Sequence, residues 1–456
     1  MNYQEIIGAM MLDKRVVVNT NGVLVVIQIS ARDVNLFFFQ LAANCSQLLI
    51  NVKHITLITN KMKPLAIFGN TLFYLAFMAL LFSCSNTKDD ATEYIKIDIV
   101  NSTINASDIF SKVDVFKIEG IILGKIKKII EHDNFIYIHT SSGEKRIHLF
   151  DKTTGDIVKS IGIIGKGPNE FHNVKNIFVF NNSLFAYDFM KKNIHQFTLN
   201  GERLSVIKLP DFAEDVNFTD TNTLVLYKTG RSSPDSKKEY KVNVYDFPTL
   251  ALKKQFYPLQ LVEEERSFSQ LNIILRVGDK LLLTEPFSNV IYEIQTNGLD
   301  TFCSFDFDHF GLPTEQYENE NLDLSEFIRY CRNSNSVWNI NNVLSNGERV
   351  FFTFYHQEQL YSCLHSVNTK ETLTYTSFNE DLLINAIIPT SGFKLEIKPA
   401  YISEEAIFFI IEPSFLASVL SNADVEYQKN GSKVHITESL SLDLLGNPLI
   451  FKYYFK

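Results

Sequence analysis

Phe135-Ile136-Tyr137-Ile138, a short gap, Ile147-His148-Leu149-Phe150 and the turn Thr154-Gly155 set the pattern that the rest of the chain repeats. A strongly apolar strand comes first, a strand of mixed character follows, and a turn closes the unit. The apolar strand recurs as Leu184-Phe185-Ala186-Tyr187, Leu224-Val225-Leu226-Tyr227, Leu281-Leu282-Leu283, Val350-Phe351-Phe352-Thr353 and Ile407-Phe408-Phe409-Ile410. Its partners include Ile194-His195-Gln196-Phe197, Val242-Asn243-Val244-Tyr245, Val290-Ile291-Tyr292-Glu293 and Leu360-Tyr361-Ser362-Cys363, with turns at Asn200-Gly201 and Asn297-Gly298.

Six such units predict an all-β, six-bladed β-propeller, in which the apolar strand is the inner one, packed on both faces, while later strands meet solvent. Ile136, Phe185, Val225, Leu282, Phe351 and Phe408 are then equivalent, at spacings of 49, 40, 57, 69 and 57 residues. A compact blade needs about 40 to 50 residues, so the later units carry insertions. Two of these read as helices, Leu322 to Arg332 and Ser414 to Gln428, the second ending before Asn430-Gly431. Both are expected to pack between blades, with a substrate lid as the alternative. The alternating runs at Tyr94 to Val100 and Leu449 to Phe455 can meet to close the ring and remove exposed edges.

Composition agrees with this reading. Of 456 residues 45% are hydrophobic and 21% charged, which fits a globular chain and not a disordered or polytopic one. Phe 38 and Tyr 19 against Trp 1 favour pleated, half-buried surfaces. A formal charge of −9 argues against a nucleic-acid partner, because phosphate neutralisation needs clustered Lys and Arg.

The first 83 residues read differently. Residues 64 to 83 carry no charge and follow Lys61-Met62-Lys63, which makes a basic n-region and an apolar h-region. They end in Leu81-Phe82-Ser83 before Cys84, which resembles a bacterial lipobox, where small residues let the peptidase approach the backbone and the cysteine is acylated. An ordinary transmembrane helix is the alternative, since about 20 apolar residues span a bilayer. Met62 is the expected start, residues 1–61 being a spurious extension in which apolar runs show no strand or helix period. Residues 62–83 form the signal peptide, 84–93 an acidic linker and 94–456 the propeller. The six Lys/Arg and three Asp/Glu before Cys84 leave the remainder at −12, suited to a soluble extracytoplasmic domain. Cys303, Cys331 and Cys363 cannot all pair and show no metal-ligand spacing, so they read as buried thiols.

The sharpest motif is Gly165-Lys166-Gly167-Pro168-Asn169-Glu170-Phe171. Gly165 and Gly167 allow positive φ and Pro168 fixes φ, which predicts a tight crossover in which Glu170 accepts backbone N–H groups. A phosphate-binding loop would need G-x-x-x-x-G-K-[ST] opening a helix, and the spacing here is too short. With the lipobox, the six units and the closing run from Asn447 to Tyr454, this motif resembles the six-bladed β-propeller lipoproteins of anaerobic gut Gram-negative bacteria, over roughly residues 84–456. The resemblance implies fold and location more than chemistry. Ser85 in place of the Asp that marks inner-membrane retention, and Lys88-Asp89-Asp90, which resembles the Lys-acidic-acidic export signal of these bacteria, imply an outer-membrane lipoprotein facing outward, with a periplasm-facing one as the alternative.

No H-E-x-x-H, G-x-S-x-G or calcium loop occurs, so no catalytic residue, metal or cofactor is expected. His132, His139, His148, His172 and His195 are scattered and read as surface or strand-face residues, with a metal-ligating cluster at the central mouth as the alternative, and Asp188 reads as a turn cap, with a place in the channel as the alternative. The expected function is a binding or scaffold module for a glycan, peptide or protein partner. The alternative is a hydrolase or lyase at the axial mouth, which charged residues at the inner-strand starts would favour.

Overall fold

The computed structural model describes residues 15–20, 23–28, 93–116, 118, 121–142, 146–229, 239–260, 272–319, 321–383, 386–389, 397–421, 426–429, 432–435 and 446–456. The chain divides into two units, Met1–Lys88 and Asp89–Lys456. In the first, β1 (Arg15–Thr20) and β2 (Val23–Gln28) form an antiparallel hairpin with Val17 opposite Val26. Residues 1–61, read as lacking a strand or helix period, thus contain two strands. The strands flank Asn21-Gly22, a strong hairpin dipeptide, but they are apolar at consecutive positions and show no alternation.

The second unit opens with β3 (Glu93–Lys96), β4 (Thr103–Asn105), the single turn α1 (Ala106–Ile109) and β5 (Phe110–Phe116). Four antiparallel sheets follow, each in chain order. The first is β6 (Ile126–His132), β7 (Phe135–Thr140), β8 (Ile147–Asp151) and β9 (Ile157–Ile161). The second is β10 (Val174–Phe180), β11 (Ser183–Asp188), β12 (Asn193–Thr198) and β13 (Arg203–Lys208). The third is β14 (Asp215–Asp220), β15 (Thr223–Tyr227), β16 (Tyr240–Asp246) and β17 (Leu252–Pro258). The fourth is β18 (Ile274–Val277), β19 (Lys280–Leu283), β20 (Val290–Gln295) and β21 (Gly298–Asp306), extended by β3 parallel to β21.

After α2 (Thr314–Tyr317) and α3 (Leu324–Asn333) comes the fifth sheet, β22 (Val337–Ser345), β23 (Arg349–His356), β24 (Gln359–Ser366) and β25 (Thr372–Tyr375). The remaining elements are β26 (Ser377–Glu380), β27 (Ala386–Pro389), β28 (Ile397–Ile402), β29 (Ala406–Ile411), α4 (Pro413–Ser421), the hairpin β30 (Glu426–Lys429) and β31 (Ser432–His435), and β32 (Leu449–Phe455). The sixth sheet runs β28-β29-β32-β5, so strands from both ends of the unit share it, with Phe451 opposite Val115. A further sheet joins β4, β26 and β27.

The architecture is an all-β propeller, and the expected blade count is corrected. Sheets of three or more strands number seven among the described residues, against six expected. The first strands of the six larger sheets adjoin in the cycle β6, β10, β14, β18, β22, β28 and back to β6. The seventh sheet fills the wedge between the fifth and sixth, where Phe378 and Ile388 pack with Phe351, Phe409 and Tyr453. It escaped the pattern because Ser377-Phe378-Asn379-Glu380 is mostly polar and pairs with a strand far back in the chain.

A second correction concerns which strand is innermost. The apolar strands β7, β11, β15, β19, β23 and β29 are second from the axis. They are apolar because their alternate residues enter different wedges. On β23, Phe351 packs toward the sixth sheet and Phe352 toward the fourth. Such a strand has no solvent face, hence no polar alternation.

The N-terminal segment straps the outer edges of three sheets. β3 lies on the fourth, Asn101 and Ser102 cross the fifth through Tyr361 (3.0 Å) and the Thr374 carbonyl (2.7 Å), and β5 completes the sixth. The helices also differ in extent from expectation. α3 starts at Leu324 because Asp323 and Glu326 form a capping box. α4 stops at Ser421 and Glu426 to Gln428 are strand, since Asn430-Gly431 stands between β30 and β31 where a helix stop was expected. Among the described residues no helix is long and apolar enough to cross a membrane.

Candidate functional site

The Gly165–Phe171 motif links β9 to β10, the crossover from first to second sheet. Phe171 N donates to the Ile163 carbonyl (2.6 Å), Gly165 N to the Phe171 carbonyl (2.9 Å) and Glu170 N to the Gly167 carbonyl (3.1 Å). Gly167 N donates to Glu170 Oε2 at 2.7 Å. These N–H groups are consumed inside the loop, which leaves no cradle for a phosphate. The glycines serve another purpose than the one expected. Neither Gly165 nor Gly167 has positive φ; Gly162 does, at +86°. A β-carbon on Gly165 would lie 2.0 Å from Glu170 Oε2 and one on Gly167 3.0 Å from Glu170 Cδ, so both are small to admit the carboxylate. Pro168 is exposed, Phe171 is fully buried, and Lys191 Nζ reaches the carbonyls of Gly167 (2.6 Å), Glu170 (2.7 Å) and Gly165 (3.3 Å). The motif is a structural clasp.

His139, His148 and His195 are buried, not strand-face residues open to solvent. Burial pushes His139 down to about 3, helped by Lys127 and Lys128, and His195 down to about 4. Among the described residues no group of His, Cys, Asp and Glu could hold a metal. Asp188 accepts the backbone N–H of His172 (2.6 Å) and Asn173 (3.1 Å), the role of a turn cap. Cys303, Cys331 and Cys363 are buried thiols outside any disulfide among the described residues, and burial lifts Cys363 to about 12. The lipobox Leu81-Phe82-Ser83, Cys84 and Lys88-Asp89-Asp90 lie outside the described residues.

With the inner strands correctly placed, their starts prove charged. Lys128 Nζ donates to Asn176 Oδ1 (2.7 Å), Asn176 Nδ2 to Asp215 Oδ1 (2.5 Å), and Ile274 N to Asp215 Oδ2 (3.0 Å), a chain crossing four sheets near the axis. Burial lowers Lys128 and raises Asp215. At the opposite end of the axis a cavity of about 560 Å³ is lined by Glu131, Arg276, Ser345, Tyr401 and Glu404. Glu131 there is paired with Lys152 and Lys452.

A second cavity, about 420 Å³, lies between the third and fourth sheets. Glu285, just after β19, forms its polar centre. Its Oε1 accepts from Lys241 Nζ (2.8 Å) and the Tyr227 hydroxyl, its Oε2 from the Tyr257 hydroxyl. Lys241 Nζ also stands 4.3 Å from the Tyr257 ring centroid. Around this centre lie Tyr292, 5.9 Å from Tyr257, and the stacked pair Phe287 and Tyr317 at 4.5 Å. The helical insertion supplies the Tyr317 wall, held by Phe327, which sits 5.1 Å from Phe287. α3 therefore packs as expected, and α2, which the sequence reading did not include, bounds the cavity with it. One ammonium and two phenols converge on the Glu285 carboxylate, and Glu318 adds a second carboxylate to the wall of the pocket. Sequence reasoning missed it because Tyr227, Lys241, Tyr257, Glu285 and Tyr317 sit on separate elements; the only local sign was aromatic density.

No curated protein matches the chain. Among solved structures, a putative exported protein from Bacteroides fragilis is similar, with a TM-score of 0.62 at 17% identity over 80% of this chain and 100% of that one. A DUF4221 family member from Bacteroides vulgatus gives 0.44 at 11% identity, over 76% of this chain and 96% of that one. The first likeness is one of fold. Residues 94–454 match the model of a domain of unknown function, DUF4934, and the chain belongs to that family.

Proposed function

We propose that the protein is an exported, lipid-anchored binding module of the cell envelope, and that the pocket between the third and fourth sheets takes a neutral, hydroxyl-rich ligand, a glycan. The observation that carries the ligand class is the Glu285–Lys241–Tyr227–Tyr257 cluster ringed by Tyr292, Phe287 and Tyr317. Lys241 is paired with Glu285 and Glu318 adds a carboxylate, so the lining does not favour an anion. Aromatic rings offer faces to the C–H side of a sugar, while Asn289 and Thr314 bring polar groups to the wall for its hydroxyls. A glycan array followed by calorimetry on the full chain tests this. A neutral oligosaccharide should bind, and Tyr292→Ala should weaken it by about tenfold, the value of one aromatic contact. Retention only of charged peptides, or Tyr292→Ala binding as tightly as the parent, would defeat the reading.

Export is supported by the basic and apolar run before Cys84, and by the description of the Bacteroides fragilis relative as exported. The anchor we propose is acyl chains on Cys84, which hold a protein stably when two or more are present. Lys88, Asp89 and Asp90 then direct it to the outer face of the outer membrane. Cys84→Ala should release the protein from membranes, and an intact membrane-bound Cys84→Ala protein would refute the anchor. Alanine at Lys88, Asp89 and Asp90 should leave it anchored but protected from external protease; unchanged cleavage would remove the surface assignment alone.

A further inference from the structure

The first strands of the first two sheets carry the same irregularity. Pairing of β6 with β7 skips from Ile126 opposite Thr140 to Lys128 opposite His139, and pairing of β10 with β11 skips from Val174 opposite Asp188 to Asn176 opposite Tyr187. In both sheets the residue left out is a lysine, Lys127 or Lys175. A bulge takes a residue out of the ladder and re-aims its side chain, a device common beside functional sites. The two strands adjoin at the axis, and Lys128 and Asn176 are bonded across them.

The charges here form two tiers. In one, Lys128, Asn176, Asp215 and the Ile274 N–H satisfy one another. In the other, Lys175 is paired with Glu214, whereas Lys127 makes no hydrogen bond or ion pair among the described residues. The groups facing Lys127 are Lys128 and Lys175, both cationic, Glu214 and Asp215, both already engaged, and His139, which burial and the two lysines of β6 keep neutral. Among the described residues, three ammonium groups thus meet two carboxylates. Burial and the neighbouring Lys175 hold the Lys127 amine down to about 8, against the opposing pull of Asp215 and Glu214.

We propose that Lys127 and Lys175 form an oxyanion site at the axis, which takes the carboxylate or phosphate group of a small ligand between the two bulged strands. The site is separate from the aromatic pocket and does not depend on it. Lysine suits such a role as a compact point charge. Glu214 competes with the ligand for Lys175 and sets the affinity.

Calorimetric titration of the full chain with inorganic phosphate and, separately, glucuronate tests the proposal. At least one should bind. Lys127→Met should weaken that binding by about tenfold or more, the loss expected for a hydrogen bond to a charged group. Glu214→Gln, which frees Lys175, should tighten it by about three- to fivefold, the strength of a partly exposed ion pair. Phosphate alone would identify a phosphoryl ligand and glucuronate alone a carboxylate; either supports the site. Binding of neither anion, or a folded Lys127→Met protein that binds like the parent, overturns it. Should Lys127→Met fail to fold, Glu214→Gln decides, and unchanged or weaker binding there counts against the site.

Discussion

Gly162 holds φ at +86° against the buried ring of Phe171, so that a β-carbon at Gly162 would sit 2.0 Å from Phe171 Cε2. The contact fixes the path by which the chain leaves β9, turns through the clasp and enters β10. Phe171 lies edge-on to His195 at 5.0 Å and to Phe197 at 6.0 Å, so its ring cannot retreat. Gly162→Ala should destabilise the propeller by about 3 kcal/mol, combining left-handed backbone strain with overpacking. Gly165→Ala should cost less, because the atom it meets is the movable end of Glu170. Denaturant midpoints of the two variants check the order. Equal costs would show that the Phe171 contact does not govern the turn.

Lys191 supports the same clasp from the neighbouring turn. One ammonium satisfies three carbonyls that converge on it, and a planar guanidinium presents its donors in a different geometry. Lys191→Met should cost about 2 kcal/mol, since charged hydrogen bonds are lost and the Gly165 and Glu170 carbonyls lose the donor they share, while Gly167 keeps the Glu170 N–H. Lys191→Arg should recover only part of that loss. Thermal unfolding of the pair provides the measurement, and full recovery by arginine would mean that charge alone matters.

How much of this was legible depended on burial symmetry. Phe135 to Ile138 and Val350 to Thr353 stand out in the sequence because wedges on both sides make them continuously apolar. The first strands did not stand out. Ile126-Lys127-Lys128-Ile129 and Val174-Lys175-Asn176-Ile177 are interrupted by the residues that face the axis, and so the charged axial tiers were assigned no place at all. A search for short repeats would have aligned these two segments. The pocket offered no such handle, since Tyr227 and Glu285 are joined only by the packing of two sheets.

The buried histidines make stability depend on acid. His139 and His195 are held at about 3 and about 4, and both ring nitrogens of His195 lack a hydrogen-bond partner among the described residues. Unfolding returns each to about 6.5, so between that value and the folded one the unfolded chain binds more protons. Stability should therefore be full above about pH 7 and fall as pH drops, by up to about 1.4 kcal/mol per pH unit for each histidine. His195→Phe, which keeps an aromatic ring beside Phe171, should leave neutral-pH stability within about 1 kcal/mol and reduce the slope. Urea midpoints across the range from neutral to acid would reveal the slope, and an unchanged slope in His195→Phe would exclude that residue as a source.

The N-terminal strap should be separable from the ring it crosses. Asp381, just after β26, accepts the Ser107 backbone N–H at 2.8 Å and the Ser107 hydroxyl at 2.5 Å, which ties α1 to the seventh sheet. Partial burial opposes ionisation of Asp381, but the bonds from Ser107 outweigh it and hold the carboxyl below the usual range. Its contribution is thus present above about pH 4 and disappears as pH falls further. Asp381→Ala should weaken the attachment of residues 93–109 by about 1–2 kcal/mol, reduced from the buried value because solvent reaches the site. Hydrogen exchange should then speed up in β3 and β4, whose pairings are short and parallel, while β7, β11 and β15 keep their protection. Asn379 to Asn105 (2.8 Å) and Ser102 to Thr374 (2.7 Å) remain in the variant, so the strap should loosen without leaving. If exchange in β7, β11 and β15 rose equally, the strap and the ring would be one cooperative unit, and the separation argued here would be wrong.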